Sequence, residues 1–341
     1  MKKMNFAILG CGAISRIHAL AINDIDNANL YGVFDYDFSK ASKMAKEYEC
    51  KVFSSLEEML GDDNVDIVNI CLPSGLHAEA INKIANAKKH IIVEKPIAIT
   101  REQLRLVEES IHRNEVKIES ISQLRFTNAI KEVKQAIEEG RLGKLLTIDS
   151  NMKFYRNDEY YKNGGWRGTY QMDGGGALMN QGIHGIDLMI YLMGDFDNVS
   201  ATCKTIGHNI ETEDIAYLYI EFKNGALGSA ICSTISKPGY PRRIEITGTK
   251  GTVIIEEDSI VSWDIEGEER KCEKSSTNCG STPNIDNYEY HKYQFEDLIH
   301  AIDKNLNTLI DEKEASKSVN LILSAYESSR LNGKKIKNEN N

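Results

Sequence analysis

Within the first 96 residues, four short apolar runs alternate with stretches of helical periodicity, and no other feature constrains the fold as tightly. The runs are "MNFAIL" (4–9), "LYGVFD" (30–35), "VDIVNICL" (65–72) and "HIIVEKP" (90–96). Between them, "AISRIHALAIND", "FSKASKMAKEY" and "GLHAEAINKIANAKK" place apolar residues three and four apart. Continuously apolar strands separated by amphipathic helices require right-handed crossovers and a parallel sheet covered on both faces. Past residue 123 the grammar changes. A helix, "RFTNAIKEVKQAIEEG", leads into the alternating strand "KLLTIDSNMKFY". Strand-like runs then succeed one another from 197 to 264 with no helix between them, which predicts a mostly antiparallel sheet with helices on one face. Two further helices are predicted at about 287–304 and 313–330.

The expected fold is therefore α/β: a doubly wound parallel sheet over 1–122, then an α+β domain over 123–341 with a large, mostly antiparallel open sheet, the last helices packing back on the first domain. A length of 341 residues exceeds what one core usually serves, in keeping with two domains. The net charge of −10 argues against nucleic acid or an anionic membrane as the main partner, so an anionic ligand would need a local cluster of bases. Seven cysteines without a CxxC pair favour reduced thiols in a cytoplasmic protein and give no zinc framework; Cys272 and Cys279 alone do not make a metal site. The apolar start is broken by Gly10 and Gly12, too early for a signal peptide or a membrane span.

"GCGAIS" places Gly10, Gly12 and Ser15 between a strand and a helix. Gly10 suits a tight turn, Gly12 lets a pyrophosphate approach the backbone, and the helix N-terminus offers amide hydrogens. Asp35 ends the second strand, where a carboxylate accepts from both ribose hydroxyls. With Asp37 nearby and no base before Lys40, NAD is expected over NADP.

A second feature lies in "GGGALMNQGIHGIDLM" (174–189). At 100° per residue Asn180, His184 and Asp187 fall within about 60° of one another, with Tyr191 on the same line, on a helix otherwise apolar all round. Such a stripe must face something inside. "VEKPIA" sets Glu94, Lys95 and Pro96 at the carboxyl end of a strand, where open α/β sheets place their ligand crevice. A cis bond before Pro96 would fix the direction of the Lys95 side chain.

Taken with "CLPSGLHAE" after the preceding strand, these motifs resemble the glucose-fructose oxidoreductase / inositol dehydrogenase (Gfo/Idh/MocA) family along essentially the whole chain. The resemblance implies that Lys95 and His184 flank the carbon being oxidised. Asn180 stands where many members carry an aspartate, and a neutral amide suits hydroxyl binding better than proton transfer. The implied NAD site comprises Gly10, Gly12, Ala13, Ile14, Asp35, Leu72, Pro73, His77, Glu94, Lys95, Gln123 and Trp166. Asp187 is expected to orient His184 from behind. No metal is implied, and a homodimer or homotetramer is.

The wording of "KFYR" and "YYKNGGWRGTYQMDGGGALMNQGIH" is similar to the branch of that family that oxidises UDP-N-acetyl-glucosaminuronic acid at its 3-hydroxyl for surface polysaccharides. A diphosphate plus a uronate needs cationic donors; Lys153, Arg156, Lys162, Arg167, Arg242 and Arg243 are available, with Tyr155, Tyr160 and Trp166 for packing or stacking. His184 is expected to be the general base and Lys95 the group that binds and polarises the oxygen. The rival readings are dehydrogenation of another polyol or free sugar, a redox-neutral NAD-dependent lyase or glycosidase, and a non-catalytic sugar or NAD sensor.

Overall fold

A computed structural model describes residues 3–162, 165–272 and 288–338; Cys279, Asn163, Gly164 and the last residues of the chain lie outside them. The chain folds as two compact units: one runs through Gln123 and takes up the segment ending at Ser316, and the other runs from Leu124 through the later strands and again from Lys317.

In the first unit, strands β1 (Met4–Leu9), β2 (Ala28–Phe34), β3 (Lys51–Val52), β4 (Ile67–Ile70), β5 (His90–Val93) and β6 (Ile118–Ser120) form one sheet in the order β3-β2-β1-β4-β5-β6, every pairing parallel. This is the doubly wound order whose switch point lies between β1 and β4. The crossovers are α1 (Ser15–Asn23), α2 (Phe38–Tyr48), α3 (Leu56–Gly61), α4 (His77–Asn86) and α5 (Arg101–Asn114). Side-chain caps begin three of them: Asp37 accepts from the amide of Ser39, Ser55 from Glu58 and Thr100 from Gln103. Phe6, Ile8, Ile22, Ile67 and Ile92 share a core with Phe295 and Leu298, which lie on α9 (Glu289–Lys304). That buried apolar face explains why α9, remote in sequence, belongs to the first unit.

In the second unit α6 (Asn128–Glu138) precedes β7 (Leu145–Lys153), and α7 (Asp158–Lys162) precedes a π-helical segment, Ala177–Gly182, that continues into α8 (Ile183–Met193). Strands β8 (Phe196–Lys204), β9 (Ile215–Phe222), β10 (Leu227–Ser233), β11 (Arg243–Gly248), β12 (Gly251–Glu256), β13 (Ser259–Ile265) and β14 (Ile336–Lys337) complete an eight-stranded sheet, β13-β12-β11-β7-β10-β9-β8-β14. Every pairing is antiparallel except β7 with β10. Along β9 the burial alternates: Ala216, Leu218, Ile220 and Phe222 face in, Tyr217 and Tyr219 face out. Gly185 lets α8 lie close over β7, since a Cβ there would stand 2.4 Å from the Met152 side chain. Most of α10 (Glu312–Arg330) falls in this unit rather than the first, and Ser328 and Ser329 hold it to β8 through the amides of Ala201 and Cys203. Among the described residues no helix is long and apolar enough to cross a membrane.

Candidate active site

The dinucleotide turn of the first unit is built from backbone contacts. Gly10 has φ +96°, and a Cβ there would lie 2.8 Å from the Cys71 carbonyl oxygen, so only glycine fits. Above Gly12 a Cβ would meet nothing within 4 Å, which leaves the approach to this backbone open. Ser15, fully buried at the start of α1, donates to the Gly12 carbonyl at 2.6 Å and fills the third fingerprint position. Asp35 braces the turn: the amides of Cys11 (2.7 Å) and Asp37 (2.8 Å) donate to its two oxygens. Ala13 is exposed and Ile14 half-buried beside it. The glycine cradle, the open face over Gly12 and the carboxylate at the end of β2 fit an adenine dinucleotide. So does Gln123, whose buried Oε1 has no hydrogen-bond partner among the described residues.

The ends of β4 and β5 form the neighbouring rim. Leu72 and Pro73 are half-buried, as is Lys95. The Lys95–Pro96 bond is cis. His77 is turned away from the open side: it is buried, with one ring nitrogen 2.7 Å from the Pro96 carbonyl and the other 2.8 Å from that of Leu72. It thus ties the two rim loops together, a role its place in the motif did not announce. Burial lowers its pKa against the pull of those two carbonyls. Glu94 is also buried, and its partner was not foreseen: His18 on α1 donates to its Oε1 at 3.1 Å.

In the second unit the polar stripe does not behave as a single line. The π segment, with more residues per turn than an α-helix, breaks the 3.6-residue spacing between Asn180 and the residues of α8. Asn180 donates to Asp173 at 2.6 Å, and its carbonyl oxygen accepts from Gln181 at 2.7 Å and lies 3.4 Å from the Tyr160 hydroxyl. Asp187 does not orient His184 as expected: Arg125 takes both of its oxygens, at 2.8 and 2.6 Å, in a pair buried at 5% and 7% exposure. Tyr191 carries the guanidinium of Arg125 and the ammonium of Lys134 over its ring. His184 stands half-buried on the same helix. Local sequence gives no sign of the Arg125 pair, because its partners are 62 residues apart.

The start of this segment is capped by a residue the motifs did not reveal. Glu213 accepts from the amides of Gly176 (3.1 Å) and Leu178 (2.8 Å) and from the Tyr326 hydroxyl (2.9 Å). Burial pushes its pKa up to about 7 against these donors. Gly176 is required here, as a Cβ would sit 1.9 Å from the Glu213 carbonyl oxygen.

Of the expected cations, Arg156 and Arg167 gather around Tyr160, their guanidiniums 5.5 and 4.6 Å from its ring centre. Arg156 is buried and donates to Gln181 at 2.8 Å; Arg167 also lies 5.2 Å from the half-buried Trp166 ring. Lys153 ends β7 half-buried, Tyr155 bridges to Ile235 under the ammonium of Lys237, and Lys162 is exposed on α7. Arg242 and Arg243 are committed elsewhere: the first pairs with Glu257 and Asp258 in the β12–β13 turn, the second with Glu256 and Glu245 on the β11–β12 hairpin. They stand as sheet cross-links rather than as ligand donors.

Residues 4–120 match the profile of an oxidoreductase family with an NAD-binding Rossmann fold, and residues 130–254 match the Gfo/Idh/MocA C-terminal domain. The chain belongs to the Gfo/Idh/MocA family. It is 29% identical over 278 residues to the myo-inositol 2-dehydrogenase of Thermotoga maritima, covering 78% of this chain and 80% of that protein. It is 30% identical over 264 residues to the glucose-6-phosphate 3-dehydrogenase of Bacillus subtilis, covering 73% of each. Among solved structures, the WlbA dehydrogenase of Bordetella pertussis in complex with NADH and UDP-GlcNAcA superposes with a TM-score of 0.89 at 29% identity, over 98% of both chains. The corresponding WlbA complex from Chromobacterium violaceum gives 0.89 at 28%, over 100% of this chain and 97% of that one. This member is an NAD-dependent oxidoreductase of the sugar and polyol dehydrogenase type.

Proposed function

We propose that the chain oxidises the 3-hydroxyl of a UDP-linked N-acetyl-glucosaminuronic acid. The observation that carries this reading is the full-length likeness to two proteins solved with that nucleotide sugar. It is supported by the cluster of Arg156 and Arg167 around Tyr160, next to Asn180, in a chain whose net charge is −10. A planar guanidinium is the better fork for phosphate or carboxylate, so these two arginines, with Lys153, are assigned to the anionic parts of the substrate.

In this reading Asn180 and Tyr160 bind sugar hydroxyls, and Tyr155 packs beside them. His184 takes the hydroxyl proton as the carbinol becomes a ketone, and Lys95 binds the oxygen and draws off its developing charge. A free imidazole titrates near ~6.5 and a free ammonium near ~10.4, so the histidine needs less retuning to serve as base. NAD, when bound, accepts the hydride. Leu72, Pro73, Glu94, Gln123 and Trp166 complete the cofactor's surroundings. The exposed Tyr217, Tyr219 and Leu227 on the outer face of β9 and β10 are assigned to a homo-oligomer interface.

The test is NADH formation by the full chain with UDP-N-acetyl-glucosaminuronic acid, UDP-N-acetylglucosamine, myo-inositol and glucose 6-phosphate. Turnover with the first far above the rest supports the proposal. Turnover with a free polyol and none with the nucleotide sugar replaces it by the polyol reading, which the curated dehydrogenase relatives favour.

A further inference from the structure

Lys95 leaves β5 between two tethers, both made by residues of the sequence motifs and neither announced by them as a tether. On its C-terminal side His77 bonds the Pro96 carbonyl. On its N-terminal side the Glu94 carboxylate folds back so that Oε2 accepts from the Lys95 amide at 3.2 Å. The other oxygen, Oε1, accepts from His18 Nε2 at 3.1 Å and lies 3.7 Å from His291 Nε2. All four side chains that build this arrangement, His18, Asn69, Glu94 and His291, are buried.

The hydrogen bonds define the protonation pattern. Asn69 Nδ2 donates to His18 Nδ1 at 3.2 Å, so the His18 proton sits on Nε2 and points at Glu94. Glu94 therefore receives donors at both oxygens, the arrangement of an ionised carboxylate. Burial pushes its pKa up, but His18 and His291 outweigh burial and hold it well below the ordinary range. Burial keeps His18 itself neutral. The His18 ring is wedged edge-on against Phe295 at 5.2 Å and lies 5.6 Å from the His291 ring. His291 is 5% exposed, and neither ring nitrogen has a hydrogen-bond partner among the described residues; a small shift of the ring would supply Glu94 with a further donor. A buried carboxylate at this depth is costly, and nothing in strand or turn formation calls for one.

We propose that Glu94, held by His18 and flanked by His291, is a positioning residue for Lys95. The carboxylate fixes the Lys95 peptide, and so the direction in which the ammonium is presented at the rim, while His18 bonds the carboxylate and His291 packs against it. The inference rests on Lys95 being the oxygen-binding lysine of the reaction, and its test separates the two claims.

The experiment uses the full chain with its lysines ¹³C-dimethylated, reading the Lys95 resonance (the one absent from Lys95→Met) across a pH titration, beside NAD-dependent kinetics on unlabelled protein. Glu94→Gln keeps the shape of the side chain and removes its charge. The expected result is a displaced or broadened Lys95 resonance with a changed titration, and kcat lowered about ten- to hundredfold with KM for NAD moved far less. His291→Gln, which leaves the carboxylate in place, is expected to do the same to a smaller degree, and it stands in should Glu94→Gln fail to fold. A Lys95 resonance and kcat unchanged in both variants overturns the proposal. If Lys95→Met keeps full turnover while Glu94→Gln still moves the Lys95 resonance, the tether stands and the catalytic reading of Lys95 fails. Metal analysis of the same wild-type preparation adds one more arm: an equivalent of tightly held transition metal, lost in His291→Gln, would make the cluster a metal centre and overturn the positioning role.

Discussion

Lys95 and His184 are the two side chains assigned to the chemistry, and the two units hold them by different means. Lys95 sits at a strand end whose backbone is tied on both sides, through Glu94 and through His77. His184 sits on a helix whose neighbours are fixed by side chains reaching across the second unit: Arg125 to Asp187, Lys134 and Arg125 over Tyr191, and Glu213 at the helix start. The first arrangement pins a peptide plane and the second a helix face. A lysine, with a long flexible stem, gains most from a fixed point of departure, whereas an imidazole close to its backbone gains most from a fixed helix.

The sharpest way to break this comparison is to remove the two side chains themselves. Lys95→Met and His184→Asn are each expected to lower kcat by about a thousandfold, within the range of lost acid–base and charge-stabilising groups. With His184 as the base the two losses differ in pH dependence: the His184 variant loses the acidic limb of the kcat profile and the Lys95 variant keeps it. Nearly full turnover in His184→Asn with none in Lys95→Met would exchange the roles. Next in size is the helix face. Arg125→Ala leaves a buried carboxylate at Asp187 and is expected to destabilise the protein by about 3–5 kcal/mol, read by denaturant unfolding. The double variant Arg125→Met/Asp187→Leu should recover most of that loss while restoring less of the activity, which separates the pair's structural cost from its effect on the helix.

How much of this was legible in the sequence obeys the same division. The parallel sheet, the Gly10 turn, Asp35 and the strand-end Lys95 all rest on local rules: apolar runs, a positive φ and the direction of a parallel strand. The alternating strands after residue 197 were readable through their period-two burial. What defeated local reading was always a contact made at a distance or a break in the helical period. The π segment at Ala177–Gly182 displaced the expected stripe; Arg125 claimed Asp187; acidic neighbours on the β11–β12 hairpin and in the β12–β13 turn claimed Arg243 and Arg242. His18 and His291 each read as one residue of an amphipathic helix, and only the fold brings them to the same carboxylate. Periodicity reports which face a residue occupies, not which distant partner meets it there.

A smaller effect tests the nucleotide end of the first unit. Asp35→Ala removes the acceptor for two backbone amides and, in the proposed cofactor complex, for the ribose hydroxyls, and hydrogen bonds to a charged group are worth roughly 1.5–3 kcal/mol. NAD affinity measured by titration is expected to fall about tenfold or more, with NADP affected less. Equal losses for both would show that Asp35 serves the turn and not the choice of cofactor.

The smallest expected effect concerns a buried carboxylate with the opposite fate to Glu94. Glu119 on β6 is held by the Gln294 amide (2.6 Å) and the Ile310 backbone N–H (3.2 Å), but no imidazole faces it among the described residues, and burial pushes its pKa up to about 8. An ordinary glutamate titrates near ~4.3, so between there and about 8 the folded chain binds one more proton than the unfolded chain. Its contribution to stability is complete below that window, declines by up to about 1.4 kcal/mol per pH unit as pH rises through it, and changes no further above. Glu119→Gln should remove that decline, flattening unfolding free energy between pH ~6 and ~8 relative to the wild type. Glu94 has the opposite sign. Its pKa is depressed in the fold, so its contribution is present above the ordinary ~4.3 and is lost as pH falls below it. Glu94→Gln should therefore keep the wild-type slope between pH ~6 and ~8 and lose part of the acid sensitivity below ~4.3. A Glu94→Gln curve that flattens in the same window as Glu119→Gln would mean that the imidazoles do not hold Glu94 ionised, and would take away the physical basis for the tether on Lys95.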